Sequence, residues 1–274
     1  MKLAGWGYYP VVETRMLRAR HVRDMQAQLA ELKSTIAFGH GGAQGDAALN
    51  ADSVMGMQGR SMVLDFNPET GVVHVQAGLR LKDLNEIFIP RGWFPPVTPG
   101  TQYVTLGGMA AADVHGKNHH RDGSFGRHIH ALTLMMPDGE IVTCSREANA
   151  DLFLATIGGM GLTGFILDLR FQMVPIETAY VRQSIQCTRD LGETFACLNR
   201  LENEPYCAAW INGLGRDAQL GQAVIFAGTH AGLDDLTGEQ RRAPLRIETR
   251  KTLQVPFRTP SWLLNPVSMA GFNR

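Results

Sequence analysis

The residues most able to do chemistry lie in one glycine- and histidine-rich run, residues 99–128. A platform of small residues comes first, with Gly107, Gly108 and three alanines at 110–112. The polar and titratable side chains that follow are Asp113, His115, Lys117, Asn118, His119 and His120. Glycine and alanine let backbone amides approach a ligand closely, so the run is typical of a site for a flat, polar, phosphate-bearing molecule. The alternative is a solvated loop whose histidines are incidental.

A second glycine-rich loop, residues 39–47, follows a short predicted strand at 35–38. Four of the seven residues from Gly39 to Gly45 are glycine. Consecutive backbone N–H groups in such a loop can form a nest that binds an anion. The loop lacks the Lys-Ser/Thr pair of a nucleoside-triphosphate site, and no helical pattern follows it as a Rossmann fingerprint requires. Taken alone it is a weak signal, because many glycine loops bind nothing.

Periodic helices and strands must position these two loops. The alternation of apolar Phe165, Leu167, Leu169, Phe171 and Met173 with polar residues predicts a long strand with one buried face. Further strands are predicted at 62–66 and 72–77, joined by a turn, and in a hairpin at 131–144. Helices are predicted at 21–33, 81–91 and 151–157. The first part of the chain therefore mixes helices with antiparallel strands.

The pattern changes near Ala179. Glycine loops become rare, and the predicted order is a strand at 180–186, a helix at 190–199, and strands at 208–212 and 224–228. We therefore predict two domains, residues 1–178 and 179–274, which suits a chain of 274 residues.

Composition argues against several classes of function. Lys plus Arg and Asp plus Glu number 26 each, so net charge gives no sign of a nucleic-acid partner. No apolar run reaches the ~20 residues that span a bilayer, and the N-terminus lacks the apolar core of a signal peptide. The cysteines at 144, 187, 197 and 207 have no metal-binding spacing. They indicate reduced thiols, so we expect a cytoplasmic protein.

Several of these motifs closely resemble the decaprenylphosphoryl-ribose oxidase family, flavoproteins of the vanillyl-alcohol-oxidase or p-cresol-methylhydroxylase (PCMH) type. The most specific motif is the string His-Gly-Lys-Asn-His-His at 115–120. The likeness runs from Gly5 to at least Val174. The other matching segments are residues 45–50, 99–101, 104–108, 123–126 and 152–159.

The resemblance implies an α+β fold, with a two-subdomain, PCMH-type FAD-binding domain followed by a substrate domain built on an antiparallel sheet. The pyrophosphate of FAD is then expected on the 39–47 loop, and the isoalloxazine near residues 107–117. Convergent N–H donors suit the pyrophosphate, and a floor of small residues suits the flat ring. The residues implied to contact FAD are Gly39, His40, Gly41, Gly42, Ala43, Gln44, Gly45, Asp46, Ala47, Gly100, Thr105, Leu106, Gly107, Gly108, Ala111, Ala112, Asp113, Val114, His115 and Ile166.

The reaction implied is oxidation of a secondary alcohol on a sugar, polyol or lipid-linked phosphosugar, with hydride transfer to flavin N5. Lys117 matches the family's substrate-contacting lysine, and a cation there can hold a phosphate or hydroxyl and stabilise the reduced flavin. His115 is implied to pack beside the flavin and tune its polarity. In the family the substrate is a lipid-linked phosphoribose of cell-wall arabinan biosynthesis. A partner short-chain reductase then reduces the product, and the lipid implies association with a membrane surface.

The chain departs from the family at two places. Gly42, Ala43 and Gln44 stand where the family usually carries arginine, serine and tyrosine, so we expect weaker FAD binding through backbone donors alone. His40 suggests covalent flavin attachment, as in related carbohydrate oxidases, but the poor match around it disfavours this. The family also continues beyond the point that matches residues 272–273, so we expect an incomplete substrate domain in a fragment or truncated product.

Two other interpretations stay open. The chain could be a non-catalytic FAD-binding remnant that acts through partner contacts, or an unrelated nucleotide- or metal-binding module. His115 and His119 have i, i+4 spacing and could ligate a metal together with His120. Because Gly116 lies between them and no carboxylate supports them, we predict that the chain holds no metal.

Overall fold

The computed structural model describes residues 1–18, 20–247, 260–263 and 265–272. These residues mix helices and strands, which confirms the predicted α+β class at that level. The chain divides into two compact units, Met1–Ile176 and Glu177–Arg274. No helix within the described ranges combines the length and the apolarity needed to cross a membrane.

The first unit begins with a short hairpin and a parallel sheet. Its strands are β1 (Lys2–Ala4), β2 (Val11–Glu13), β3 (Arg15–Arg18), β4 (Ile36–Phe38) and β5 (Ser53–Gly56). Strands β1 and β2 pair antiparallel, whereas the parallel sheet has the order β3-β5-β4. Helix α1 (Val22–Leu29) connects β3 to β4 and is shorter than the predicted 21–33, because hydrogen-bonded turns follow at Glu31 and Leu32. The 39–47 loop begins at the carboxyl end of β4.

A five-stranded antiparallel sheet supplies most of the remaining strands of this unit. In chain order the strands are β6 (Val63–Phe66), β7 (Val72–Gln76), β8 (Trp93–Phe94), β9 (Ile129–Met135), β10 (Ile141–Ser145), β11 (Phe165–Gln172) and β12 (Val174–Pro175). The sheet has the order β10-β9-β11-β7-β6, and β8 pairs with β12 apart from it. Strands β8 and β12 were not predicted, whereas the other five lie within a few residues of the predicted strands, because their turn sequences and alternation are strong.

Strand β11 differs from the single buried face that its alternation predicts. Its pairing with β9 shifts register between Ile166 and Asp168, which marks a bulge. An extra residue at a bulge reverses the side to which the following side chains point. Phe165 and Leu167 therefore pack in a core with Met25, Met55, Met57 and Met135, while Leu169, Phe171 and Met173 pack in the larger core that includes Val73, Val75 and Leu132. The strand thus joins two cores instead of covering one.

Four helices complete the described part of this unit. They are α2 (Leu81–Phe88), α3 (Leu106–Ala111), α4 (His119–Asp122) and α5 (Ala150–Thr156). Helix α2 continues as a 3-10 turn and ends at Gly92, whose φ of 80° places it in the left-handed region, as the sequence predicts. Helix α3 lies inside the glycine-rich central run, and its Leu106, Met109 and Ala110 are fully buried. That run therefore contributes to the core as well as to the surface.

The second unit contains an antiparallel sheet of three strands among the described residues. They are β13 (Val181–Thr188), β14 (Tyr206–Ile211) and β15 (Ala223–His230), in the order β13-β15-β14. Helix α6 (Leu191–Arg200) begins at Asp190, whose carboxylate accepts a hydrogen bond from the N–H of Glu193 at 2.8 Å. Cys197 of this helix packs against Ile225 of the sheet. Two short helices follow, α7 (Gly238–Arg242) and α8 (Pro266–Phe272).

Candidate functional site

The two glycine-rich segments line one cavity in the first unit. The space that protein atoms leave free there, its open mouth included, is about 920 Å³. The predicted contact residues that line it are Gly39, His40, Gly41, Gly42, Ala43, Ala47, Thr105, Gly107, Gly108, Ala111, Ala112, Val114 and Ile166. Thirteen of the predicted contact residues therefore share one cavity, and their contact with FAD stays a prediction.

The two segments touch one another, and glycine makes the contact possible. A Cβ added at Gly39 would lie 2.6 Å from Oγ1 of Thr105, and one at Gly42 would lie 2.9 Å from Cγ1 of Val104. Real Cβ atoms essentially never come so close to another heavy atom, so larger residues would push the walls apart. The absence of side chains at these two positions therefore fixes the width of the cavity.

The backbone N–H groups of the 39–47 loop are left unused by the described part of the protein. In the described part of the chain, no backbone N–H from Gly39 to Ala47 donates a hydrogen bond to a protein acceptor. Three of the loop's carbonyls are held: those of Ala43 and Asp46 accept from the N–H groups of Trp6 and Leu49, each at 2.8 Å, and that of Gly39 accepts from the side-chain amide of Gln58. Fixed carbonyls beside unused donors are the arrangement of an anion-binding nest.

The opposite wall starts at the first turn of helix α3. Thr105 caps this helix, and its Oγ1 accepts a hydrogen bond from the N–H of Gly108 at 3.3 Å. The N–H of Gly107 donates to the carbonyl of Ala77 at 2.8 Å, and a Cβ at Gly107 would lie 2.7 Å from that of Ala77. Leu106 lies between these residues in sequence but points into the core, where it is fully buried. It supports the wall and does not line the cavity.

Asp113 also has a supporting place. Its backbone φ of 40° lies in the left-handed region. Its Oδ2 accepts from the hydroxyl of Ser124 at 2.8 Å, and its Oδ1 accepts from the N–H of Gly126 at 2.8 Å. The carboxylate therefore ties the turn after helix α3 to the segment before β9, and Asp113 lies outside the cavity lining.

Lys117 and His115, the predicted catalytic residues, are exposed and also lie outside the lining. The backbone around Lys117 is anchored on both sides. A Cβ at Gly116 would lie 2.6 Å from the carbonyl oxygen of Thr98, and the buried Asn118 donates from Nδ2 to the carbonyl of Pro96 at 2.7 Å. The ring of His115 lies beside that of His119, with 5.3 Å between the centroids.

Four other predicted contacts, Gln44, Gly45, Asp46 and Gly100, lie outside the lining as well. A Cβ added at Gly100 would meet no heavy atom within 4 Å, so nothing packs against it. Among the residues that the structure describes, no group of three His, Cys, Asp or Glu side chains could hold a metal ion.

A third wall was missed by the sequence analysis. It comes from Met160, Gly161 and Gly164, which precede β11. The N–H of Met160 donates to the carbonyl of Ala111 at 2.8 Å, which joins this loop to helix α3. The glycines at 158, 159, 161 and 164 are the signal that could have found it. The remaining lining residues, also not predicted, are Ala37, Ala48, Met57, Ala77, Val104 and Met109.

The cavity wall carries little charge. Among its described residues, His40 is the one with an ionisable side chain. The pKa of His40 is lowered from its usual value, chiefly by burial and then by the charge of Arg80, while Asp83 acts in the opposite direction. Arg80 is itself bound to Asp83 through two hydrogen bonds of 2.7 Å. This pair raises the pKa of Arg80 and lowers that of Asp83.

Comparison with known proteins identifies the cofactor class. A family model described as an FAD binding domain matches residues 17–145. The chain is 37% identical over 237 residues to decaprenylphosphoryl-beta-D-ribose oxidase of Mycolicibacterium smegmatis, which covers 85% of this chain and 52% of that protein. The predicted cofactor, FAD, is therefore confirmed.

Other relatives extend the likeness. An uncharacterized protein of Streptomyces coelicolor is 36% identical over 187 residues, covering 68% of this chain and 50% of that protein. L-gulonolactone oxidase of Mus musculus is 30% identical over 152 residues, covering 54% of this chain and 34% of that enzyme. The chain thus spans about half the length of the first two relatives.

Proposed function

We propose that this chain, which belongs to the FAD-binding proteins similar to decaprenylphosphoryl-beta-D-ribose oxidase, is a flavin-dependent oxidoreductase for secondary alcohols. The substrate class that we infer is a sugar, a polyol or a lipid-linked phosphosugar. One observation carries the proposal: two touching glycine-rich segments line a cavity with a row of unused N–H donors on one side and small residues on the other.

The residues of the cavity fit FAD. The N–H groups of the 39–47 loop can hold the diphosphate, because nothing else in the described chain accepts from them. Gly107, Gly108, Ala111 and Ala112 offer a flat wall of small residues to the ring. Bound FAD supplies a two-electron acceptor, which the protein itself lacks.

The role of Lys117 follows from its fixed backbone and free ammonium group. Gly116 and Asn118 hold the segment against residues 96–98, so the position of the lysine backbone is set before substrate arrives. Its Nζ forms no hydrogen bond or ion pair with a described residue. The ammonium is therefore available to hold a substrate phosphate, or the oxygen of the alcohol as it loses its proton.

His115 supplies a second function in this proposal. Oxidation of an alcohol requires a base that accepts the hydroxyl proton. His115 is exposed and directly follows Val114, which lines the cavity. An imidazole nitrogen can accept a proton, so we assign proton acceptance to His115. We assign reduction of the oxidised product to a separate short-chain reductase.

A flavin spectrum tests this function. Purified protein, or apoprotein reconstituted with FAD, is expected to show the absorbance of bound oxidised flavin, and anaerobic addition of a suitable polyol or phosphosugar is expected to bleach it. A panel of polyols, aldose phosphates and lipid-linked pentose phosphates identifies the class. Absence of flavin binding contradicts the whole proposal, whereas stable flavin without bleaching by any of these alcohols leaves only the FAD-binding role.

Replacement of Lys117 separates substrate binding from cofactor binding. We expect Lys117→Met to retain bound flavin but to bleach about tenfold more slowly with substrate, because one charge-assisted hydrogen bond is lost. Stopped-flow absorbance measures the rate. The control is Lys33→Met, which changes an exposed lysine that precedes β4 in the sequence. It is expected to react like the unmodified protein. Equal bleaching rates for both variants would remove Lys117 from the mechanism.

A further inference from the structure

We propose that His40 supplies a proton-linked counter-charge to the diphosphate of FAD, so that the protein binds FAD more tightly as pH falls. The inference rests on the FAD site proposed above and adds a regulation of that site by pH. It depends on what the cavity wall contains and on what surrounds the imidazole.

Few side chains of the cavity wall can balance the negative charge of a diphosphate. Among the described residues that line the cavity, His40 and Thr105 carry the side-chain nitrogen and oxygen atoms. The hydroxyl of Thr105, which accepts from the N–H of Gly108, is neutral and cannot supply a counter-charge. Burial of an anion without a counter-charge is costly, and backbone N–H groups supply only partial charges. His40 stands inside the nest itself, between Gly39 and Gly41, and is the one lining residue that can become a cation.

The charged groups that act on His40 do not themselves supply a counter-charge to the diphosphate. Arg80 lies outside the lining, and Asp83 binds its guanidinium through both Nε and Nη2 at 2.7 Å. The positive charge of Arg80 is therefore largely balanced before any anion enters. Asp46, on the same loop, is exposed and also lies outside the lining. In the described wall no other acid or base faces the imidazole.

The direction of the pH effect follows from linkage. Burial and Arg80 lower the pKa of His40, so the imidazole is mostly neutral in the empty site at neutral pH. A nearby diphosphate favours the charged form and raises that pKa, so binding takes up a proton. Affinity is then highest below the pKa of the free protein, falls as pH rises between the two values, and is constant and lowest above the pKa of the complex.

Titration of the apoprotein with FAD tests the proposal without measuring activity. Flavin fluorescence gives the dissociation constant, which we expect to rise about tenfold or more between roughly pH 5.5 and pH 8.5, since an anion commonly shifts a neighbouring pKa by about one unit or more. Calorimetry in two buffers of different ionisation enthalpy is expected to report net proton uptake near pH 7. Riboflavin, which carries no phosphate, is expected to show neither effect. ADP-ribose, whose diphosphate is esterified at both ends as in FAD, is expected to show both.

The variant His40→Gln is expected to give a flat pH profile, with the weaker affinity that the unmodified protein shows at high pH. The control is His21→Gln, because His21 is exposed and its side chain forms no capping bond at helix α1. It is expected to keep the full pH dependence.

A pH dependence that survives in His40→Gln, or that is equal for riboflavin and FAD, overturns the inference and leaves FAD binding intact. The inference is also overturned, with FAD binding left intact, if the unmodified protein binds FAD with the same affinity at every pH and takes up no proton. This outcome does not depend on whether the variant folds. Failure of the unmodified protein to bind FAD at any pH instead contradicts the proposed function, and the inference with it.

Discussion

Gly39→Val is expected to weaken FAD binding by up to about 100-fold while the protein remains folded. Even a single added carbon at this position would lie 2.6 Å from Oγ1 and 3.2 Å from Cγ2 of Thr105. The two γ carbons of valine would in addition occupy cavity space, because Gly39 lines it. Overpacking of this kind costs about 1–3 kcal/mol, and the upper value corresponds to about 100-fold in a dissociation constant. Equilibrium titration with FAD measures the loss.

The matched control is Gly7→Val, because a Cβ at Gly7 would meet no heavy atom within 4 Å. Circular dichroism of each apoprotein shows whether the fold is kept. We expect both variants to fold and only Gly39→Val to lose flavin. An unchanged affinity in the folded Gly39→Val protein would mean that FAD does not lie between the two glycine-rich segments.

The intermediate variant Gly39→Ala gives the size of the steric effect alone. The backbone at Gly39 does not need the left-handed region, so alanine introduces crowding and no conformational strain. The threonine that it meets caps helix α3, so a shift of its side chain also disturbs the bond to Gly108. We expect the affinity of Gly39→Ala for FAD, measured by the same titration, to lie between those of the unmodified protein and Gly39→Val. If Gly39→Ala loses as much affinity for FAD as Gly39→Val, the contact with Thr105 accounts for the whole effect.

Local chemistry made the two main walls of the cavity predictable. Glycine is informative at Gly39, Gly42 and Gly107, since each position touches another segment so closely that a side chain would collide with it. The sequence shows that such positions are glycine. It does not show which segments meet there. Resemblance to a family supplied that pairing, and the structure places both segments on one cavity.

The third wall needed tertiary information. Met160 lines the cavity and has a φ of 52°, an unusual conformation for methionine that sequence periodicity does not reveal. Its loop is held by hydrogen bonds to the end of helix α3, which the central run was not expected to contain. A loop joined to an unpredicted helix could not be positioned from periodicity alone.

The bulge in β11 shows a second limit. Alternation of side chains predicts one face only while the strand keeps a constant register. At residues 166–168 the register shifts, so Ile166 shares a core with Leu169, whereas Leu167 packs in the other core. As a result Ile166 reaches the cavity, whereas alternation alone would have put it with the polar residues of the strand. Such a shift depends on pairing with β9, which a single strand's sequence does not encode.

Asp113 lies outside the cavity lining, so its replacement is expected to affect stability more than cofactor contact. We expect Asp113→Ala to lower the free energy of unfolding by about 3 kcal/mol. Two hydrogen bonds to a carboxylate disappear, one from the hydroxyl of Ser124 and one from the N–H of Gly126. Alanine must also adopt the φ of 40° found here, which is unfavourable for a residue with a Cβ. Urea unfolding of the apoprotein measures the change.

Asp113→Asn is the matched control, because asparagine tolerates the left-handed region and keeps one acceptor oxygen. We expect it to lose about half as much stability as Asp113→Ala. The two variants also separate support from direct contact, since saturating FAD stabilises a protein according to its affinity. If Asp113 only holds the turn after helix α3, the added stability with FAD stays close to normal in Asp113→Asn. If instead Asp113→Asn is as stable as the unmodified protein but gains much less from FAD, the carboxylate contacts the cofactor and the supporting role assigned to it is wrong.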